Sequence, residues 1–185
     1  MILIADSGSS ITEWRLLDGE SISQYQCIGL NPFIVDEHII SDTLSQLEIP
    51  FDKITELHFY GAGCGSSEKS DFMQTALQSV FICADVMVYS DLLAAARSLF
   101  QKNEGVIGIL GTGSNVAKYN GDSVEPFSTS MGYILGDEGS GNALGKRFLK
   151  AYLGDKLDKA LNLKIGLDKG TILNELYSHS FPNRY

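Results

Sequence analysis

The chain has 185 residues and a formal net charge of −9, with 44% hydrophobic and 20% charged residues. This composition predicts a folded globular protein with enough chain for a substantial core, and the negative charge disfavours nucleic acids and anionic membranes as partners. The three cysteines are widely spaced and include no CxxC pair, so they indicate neither a zinc site nor a disulfide framework.

The first third of the chain predicts three consecutive strands. Residues 2–5 are continuously apolar, whereas residues 12–17 and 22–27 are mixed stretches joined by the tight-turn sequence Asp18-Gly19-Glu20. No basic segment precedes the first strand, and no apolar run approaches the roughly 20 residues that a membrane span needs. We therefore expect no signal peptide and no membrane anchor, and a cytoplasmic location.

Helices and strands then alternate up to about residue 100. A turn at Asn31-Pro32 precedes the first helix, and the strands predicted at residues 57–60 and 86–89 are each followed by another helix. The order β-β-β-α-β-α-β-α predicts a ribonuclease-H-like α/β domain, in which a three-strand meander is followed by crossover units.

A similar strand-loop-strand-turn-strand pattern starts again near residue 106. Its strands are predicted at residues 106–110, 116–119 and 124–127. The strong hairpin signal Asn120-Gly121 separates the last two strands, and the chain is predicted to be helical from residue 139. We expect two lobes, at residues 1–103 and 104–185, each starting with a three-strand meander, with the second lobe incomplete in this chain.

Two loops rich in small residues follow apolar strands at equivalent places in the repeated pattern. The first is Asp6-Ser7-Gly8-Ser9-Ser10, and the second is Gly111-Thr112-Gly113-Ser114-Asn115. Small residues let backbone N–H groups and hydroxyls approach phosphate oxygens closely, and the carboxylate of Asp6 suits Mg²⁺, directly or through water. Each loop alone is also compatible with a plain turn. Facing each other across a cleft, the two loops would suit a nucleoside triphosphate.

Acidic residues also stand at the start of two predicted helices. Asp91 follows a strand, where it can cap the next helix or act as a general base at the carboxyl end of the strand. Asp137 and Glu138 lie among three glycines in the stretch from Gly136 to Gly141. Capping would explain one acidic residue at a helix start, whereas the glycines indicate the close approach of another backbone segment or a ligand.

Three of these stretches, in their order and spacing, resemble the BadF/BadG/BcrA/BcrD-type ATPase family, and within it the branch of the N-acetylglucosamine kinases. They are residues 6–12, 111–115 and 136–140. The family belongs to the superfamily of sugar kinases, actin and heat-shock chaperones. The resemblance therefore implies an actin-like ATPase fold and the ATP-dependent phosphorylation of an amino sugar, such as N-acetylglucosamine, at its 6-hydroxyl.

The resemblance also implies a role for each matched residue. Asp91 would be the general base that takes the proton of the 6-hydroxyl, and Asp6 would hold Mg²⁺ through water. ATP would be bound by Asp6, Ser7, Gly8, Ser9, Ser10 and Thr12 of the first loop and by Gly111, Thr112, Gly113 and Ser114 of the second. The sugar would be bound by Asn31, Asp91, Thr112, Gly113 and Asp137.

The chain departs from the family pattern in its first loop. Ser10 and Ile11 stand where the family has a threonine and a basic residue, and we expect the family's adenosine-binding glycine motif to lie beyond the given residues. Two alternatives stay open. One is an iron–sulfur ATPase that activates a dehydratase, for which Cys64 would be a single bridging ligand where a Cys₄ cluster needs two per subunit. The other is a sugar-binding member of the family that no longer phosphorylates.

A repressor-type relative is disfavoured. It would need a helix-turn-helix before the first strand, which is predicted to begin at residue 2, and it would have to bind DNA with a negatively charged chain. The identity of the sugar and the oligomeric state, a homodimer included, stay open.

Overall fold

Five strands form a mixed sheet in the order β3-β2-β1-β4-β5. The computed structural model describes residues 1–128, 130–158, 160–161, 166 and 168–177. The strands are β1 (Ile2–Ser7), β2 (Ile11–Asp18), β3 (Ser21–Ile28), β4 (Glu56–Gly61) and β5 (Asp85–Ser90). The pairs β1–β2 and β2–β3 are antiparallel, whereas β1–β4 and β4–β5 are parallel. This order confirms the predicted ribonuclease-H-like sheet, a meander followed by crossover units.

Side chains alternate between the two faces of this sheet, as the period of two requires. On β1, Leu3, Ala5 and Ser7 are buried on one face, whereas Asp6 lies on the other and is exposed. The alternation therefore separates Asp6 from its neighbour Ser7, although both belong to the same predicted loop.

An aromatic cluster fills the buried face of the sheet beneath two helices. The Trp14 ring lies 6.1 Å from that of Phe59 and 6.2 Å from that of Phe81, between centroids. Ile40 of α1 and Leu77 of α2 are fully buried in the same core. The two helices are α1 (Glu37–Ser45) and α2 (Ser67–Val80).

The turn at Asn31-Pro32 precedes α1, as the sequence predicts. The helix begins at Glu37, because Asp36 adopts an extended conformation and its Oδ1 accepts a hydrogen bond from the Ile39 amide at 2.8 Å. Aspartate is a favoured residue at this capping position.

The opposite face of the sheet is partly covered by α3 (Asp91–Phe100). Leu92, Leu93 and Ala96 of this helix form a second apolar cluster with Ala117 and Tyr119. The latter two belong to a three-stranded sheet in the order β6-β7-β8. Its strands are β6 (Gly105–Leu110), β7 (Ser114–Tyr119) and β8 (Val124–Pro126), with the predicted Asn120-Gly121 turn before β8.

The chain divides into two compact units. The first comprises Met1–Ile109 and Val116–Ser128, and the second comprises Leu110–Asn115 and Thr129–Tyr185. The lobe boundary expected between residues 103 and 104 stays a prediction.

The helices of the second unit are α4 (Gly132–Leu135), α5 (Gly141–Leu153) and α6 (Lys169–Tyr177). Ser140 caps α5, because its Oγ accepts a hydrogen bond from the Ala143 amide at 3.1 Å. Tyr152 is the buried residue of α5, whereas Leu144 and Phe148 of the same helix are exposed. None of the helices within the described residues is long and apolar enough to cross a membrane.

Candidate functional site

The carboxyl ends of the parallel strands β1, β4 and β5 lie at one edge of the sheet. Ser7 of β1 pairs in register with Gly61 of β4, and Gly61 pairs with Ser90 of β5. Asp6 precedes Ser7 and Asp91 follows Ser90, so both aspartates lie at this edge of the sheet. In open α/β sheets this edge is the usual place for a ligand.

Asp91 is the first residue of α3 and is half-buried. Its Oδ1 accepts a hydrogen bond from the Leu92 amide at 2.9 Å. Burial raises the pKa of Asp91 above its ordinary value of 3.8, and the charge of Asp6 raises it further, while the bond from Leu92 acts in the opposite direction. The helix cap is Ser90, whose side chain makes no capping bond. Ser90 rather than Asp91 therefore occupies the cap position, and the bond from Leu92 is local to the first turn of α3.

The pKa of Asp6, at the same edge, is also raised. Although its side chain is largely exposed, the partial burial of Asp6 raises its pKa, and so does the charge of Glu13, which lies directly opposite on β2. Since Asp6 and Asp91 repel one another, a cation bound at this edge would relieve the repulsion between them.

The first loop is held by hydroxyl groups that face inward. Ser7 and Thr12 are fully buried, and their hydroxyl oxygens lie 2.8 Å apart. Both accept hydrogen bonds from the Leu30 amide, at 3.0 and 3.1 Å, and Thr12 donates to the Ile28 carbonyl at 2.9 Å. These two hydroxyls fix the segment that leads to Asn31, and their predicted contact with a nucleotide stays a prediction.

The outer part of the first loop presents free backbone groups. The Gly8 amide donates to the Ile11 carbonyl at 2.9 Å, and the Ser10 carbonyl accepts from the Gly29 amide at 3.0 Å. Within the described part of the chain, the amides of Ser9 and Ser10 have no hydrogen-bond partner. Such paired free amides can bind an anion such as phosphate.

Asn31 is held on both sides of its amide group. Its Nδ2 donates to the Ser9 Oγ at 3.1 Å, and its Oδ1 accepts from the Phe33 amide at 3.0 Å. Gly63, at φ +86°, packs so closely that a Cβ at this position would lie 2.6 Å from Asn31 Oδ1. Asn31 is only 9% exposed, so its orientation is fixed by the fold rather than by a ligand.

In the second unit, two of the predicted stretches are joined through their backbones. The Gly141 amide donates to the Gly111 carbonyl at 2.8 Å, and the Asn142 amide donates to the Thr112 carbonyl at 3.2 Å. Ser114 Oγ donates to the Glu138 carbonyl at 3.0 Å. The glycine cluster thus serves the close approach of another backbone segment, which is one of the two explanations that the sequence indicates.

Asp137 lies directly over the second loop. Its Oδ2 is 3.0 Å from the position that a Cβ on Gly113 would occupy, and its backbone is in the left-handed region with φ 62°. Ser140 rather than Asp137 caps α5, which corrects the capping interpretation of Asp137. Within the described residues the amides of Thr112 and Gly113 have no partner, so this loop also offers donors beside a carboxylate.

Sequence reasoning missed an aromatic and cationic cluster behind the site edge. Arg97 Nη1 donates to the Tyr60 hydroxyl at 2.9 Å, and its guanidinium lies 4.8 Å from the centroid of the Tyr89 ring. Tyr60 and Tyr89 are paired in register on β4 and β5. Each tyrosine is the last residue of a strand predicted from the sequence. This shared position is the signal that could have revealed the pair.

Comparisons with known proteins first identify the fold class of the protein. No family model matches the chain. A solved structure of a candidate N-acetylglucosamine kinase from Chromobacterium violaceum matches with a TM-score of 0.63 and 17% identity, over 99% of this chain and 70% of that one. At this identity the match shows the fold alone, which is the α/β fold of the actin-like ATPases.

Two further matches are closer in sequence. A candidate N-acetylglucosamine kinase from Porphyromonas gingivalis is 36% identical with a TM-score of 0.86, over 100% of this chain and 69% of that one. An N-acetylmuramic acid/N-acetylglucosamine kinase of Clostridium acetobutylicum is 28% identical over 117 residues, which are 63% of this chain. The chain spans 38% of that curated relative's length. The protein belongs to the N-acetylglucosamine kinase-like branch of the BadF/BadG/BcrA/BcrD-type ATPase family.

Proposed function

We propose that the protein is an ATP-dependent kinase that phosphorylates an amino sugar, such as N-acetylglucosamine, at its 6-hydroxyl. The observation that carries this proposal is the pair of carboxylates at the edge of the parallel strands. Asp91 has a raised pKa and Asp6 lies close enough to contribute to it. Phosphoryl transfer needs a base beside the acceptor hydroxyl and a cation beside the phosphates, and two carboxylates at one edge can divide these tasks.

Asp91 is assigned the role of general base. A carboxylate whose pKa is raised accepts a proton more readily than an ordinary one, because its strength as a base increases with pKa. The Oδ1 atom stays bonded to the Leu92 amide, which fixes the carboxylate and leaves Oδ2 to accept the proton of the 6-hydroxyl.

Asp6 is assigned to Mg²⁺, which would neutralise phosphate charge when bound with ATP. Among the described residues there is no group of three or more His, Cys, Asp or Glu side chains arranged to hold a metal ion. One exposed carboxylate fits Mg²⁺ nonetheless, because this ion keeps several waters and is usually held by one or two carboxylates together with substrate phosphates.

Phosphate oxygens are assigned to the free amides of the two small-residue loops. In the first loop these are the amides of Ser9 and Ser10, with Gly8 leaving room for close approach. In the second they are the amides of Thr112 and Gly113. As the family resemblance implies, sugar hydroxyls are assigned to Asn31, Asp91, Asp137 and the Thr112-Gly113 segment.

The kinase assignment is favoured over the iron–sulfur alternative. Burial raises the pKa of the Cys64 thiol to about 12, with a further contribution from the charge of Asp91. A cluster shared between two subunits needs accessible cysteine ligands, and the Cys64 side chain is buried. We further propose that the protein acts in the cytoplasm on small molecules, without nucleic acid or membrane partners.

The test is a coupled ADP-release assay with the 185-residue chain and with its longest natural form, against a panel of amino sugars and their 6-deoxy analogues. We expect turnover with N-acetylglucosamine and none with 6-deoxy-N-acetylglucosamine. Sugar binding without ADP release in the longest form would instead support the non-catalytic alternative, and equal turnover with both sugars would exclude the 6-hydroxyl as acceptor.

A further inference from the structure

The orientation of the Asn31 amide is determined by its neighbours. The Phe33 N–H is a donor, so the atom that it meets at 3.0 Å must be the oxygen of the Asn31 amide. The nitrogen therefore faces Ser9, and one of its two hydrogens is given to the Ser9 Oγ at 3.1 Å. Gly63 covers the oxygen. What Asn31 can still offer a ligand is one N–H donor.

The Ser9 hydroxyl also has an unused hydrogen-bonding group. A serine hydroxyl carries one O–H donor and two acceptor lone pairs, and the described residues use one of the lone pairs, through Asn31. The O–H remains available beside the free amides of Ser9 and Ser10 in the first loop. An anionic oxygen held by these amides is the strongest acceptor that this hydroxyl could meet.

We propose that Ser9 is a positioning residue that couples nucleotide binding to sugar binding through Asn31. This inference rests on the proposed function. When a phosphate oxygen accepts the Ser9 O–H, the Ser9 oxygen becomes a better acceptor for the Asn31 N–H, because consecutive hydrogen bonds polarise one another. Asn31 is then held more firmly, with its remaining N–H directed at an acceptor atom of the sugar. The coupling is reciprocal, so sugar binding strengthens nucleotide binding by the same factor.

The experiment measures the affinity of N-acetylglucosamine by calorimetry, with and without saturating ADP and Mg²⁺. The ratio of the two dissociation constants is the coupling factor. We expect a factor of about 5 or more in the unmodified protein, which is the lower end of ordinary allosteric coupling. In Ser9→Ala the factor should fall to about 1 to 2, because the relay between the two ligands is lost while the backbone amides remain.

Three further variants make the result specific. Ser9→Thr keeps the hydroxyl and should restore the coupling, and Ser9→Gly removes the hydroxyl and serves if Ser9→Ala does not fold. Ser23→Ala removes an exposed serine of β3 and should leave the coupling unchanged. A simple loss of stability would weaken binding of each ligand separately, without changing the ratio.

The outcomes separate this inference from the proposed function. If the unmodified protein binds both ligands without coupling, or if Ser9→Ala and Ser9→Gly keep the full coupling, the role of Ser9 is refuted and the kinase assignment stands. If the longest natural form fails to bind N-acetylglucosamine or fails to bind ADP with Mg²⁺, the proposed function itself fails, and the role of Ser9 fails with it.

Discussion

Asp91 is the residue at which stability and chemistry oppose one another. Its pKa is raised in the folded protein, so between the unfolded and folded pKa values the folded state binds more protons. Its contribution to the free energy of unfolding is therefore greatest at low pH and is lost as the pH rises through the folded value. At neutral pH the ionised carboxylate destabilises the fold, and a base of this kind is retained at the expense of stability.

Asp91→Asn should abolish catalysis without harming the fold. Asparagine keeps an oxygen for the Leu92 amide but removes the charge that burial and Asp6 disfavour, so the melting temperature should stay equal or rise. Turnover should fall by a factor of about 10² or more, the usual contribution of a general base. Thermal unfolding tests the expected melting temperature, and the ADP-release assay tests the expected loss of turnover. A stable variant with turnover close to that of the unmodified protein would remove Asp91 from the mechanism.

Asp6→Asn should lower the pKa of Asp91, because the charge of Asp6 is one of the causes that raise it. The measurement is an NMR titration of the Asp91 carboxyl carbon in both proteins, without nucleotide or metal. The matched control is Asp85→Asn, which removes an exposed carboxylate at the opposite end of β5 and should leave the Asp91 titration unchanged. An unshifted titration in Asp6→Asn would mean that the two carboxylates do not interact.

In the second small-residue loop, the position of the Asp137 carboxylate depends on the absence of a side chain at Gly113. A Cβ there would lie 3.0 Å from Asp137 Oδ2, so Gly113→Ala should displace the Asp137 carboxylate. We expect the KM for the sugar to rise by roughly tenfold, the equivalent of about one lost hydrogen bond. Steady-state kinetics and binding of the sugar measure this.

Gly145→Ala is the matched control for Gly113→Ala in the same unit. Gly145 lies in α5, and a Cβ there would meet nothing within 4 Å. This substitution should leave the sugar KM unchanged and stabilise the protein by about 0.5–1 kcal/mol, because alanine favours a helix interior more than glycine does. An unchanged sugar KM in Gly113→Ala as well would show that the Asp137 carboxylate does not contact the sugar.

The strands could be predicted closely, whereas the cap of α5 and the hydrogen-bond partners could not. Apolar alternation and turn sequences are local, so β4 and β5 were predicted to within one residue at each end. The cap of α5 was missed because Asp137, Glu138 and Ser140 are all acceptable caps by composition, and only the backbone conformation selects Ser140. The amide of Asn31 was predicted as a sugar contact, but its bond to Ser9 joins residues 22 positions apart, which local patterns do not reveal.

At the scale of the 185-residue chain, the formal net charge is −9, although the proposed co-substrate is itself an anion. The general field therefore repels ATP with Mg²⁺, and binding depends on the local amides of the small-residue loops. Salt screens the general field much more than the local contacts, since the Debye length falls from about 30 Å at 0.01 M to about 10 Å at 0.1 M ionic strength.

We therefore expect the KM for ATP with Mg²⁺ to fall by a factor of about 2 to 5 over this range of ionic strength. The KM for uncharged N-acetylglucosamine should stay constant and is the internal control. Steady-state kinetics at several salt concentrations provide the measurement. A rise in the KM for ATP with salt would indicate instead that positive side chains govern nucleotide binding.

Asp137 has a further consequence for attempts to improve the protein in the laboratory. Its left-handed backbone, with φ 62°, is a conformation that glycine adopts freely and that strains an aspartate by about 1 kcal/mol. A directed-evolution campaign selecting for heat resistance alone would therefore favour Asp137→Gly. Such a campaign would enrich variants that survive heating and have lost the carboxylate over the second loop, so thermal selection here has to be paired with selection for turnover in every round.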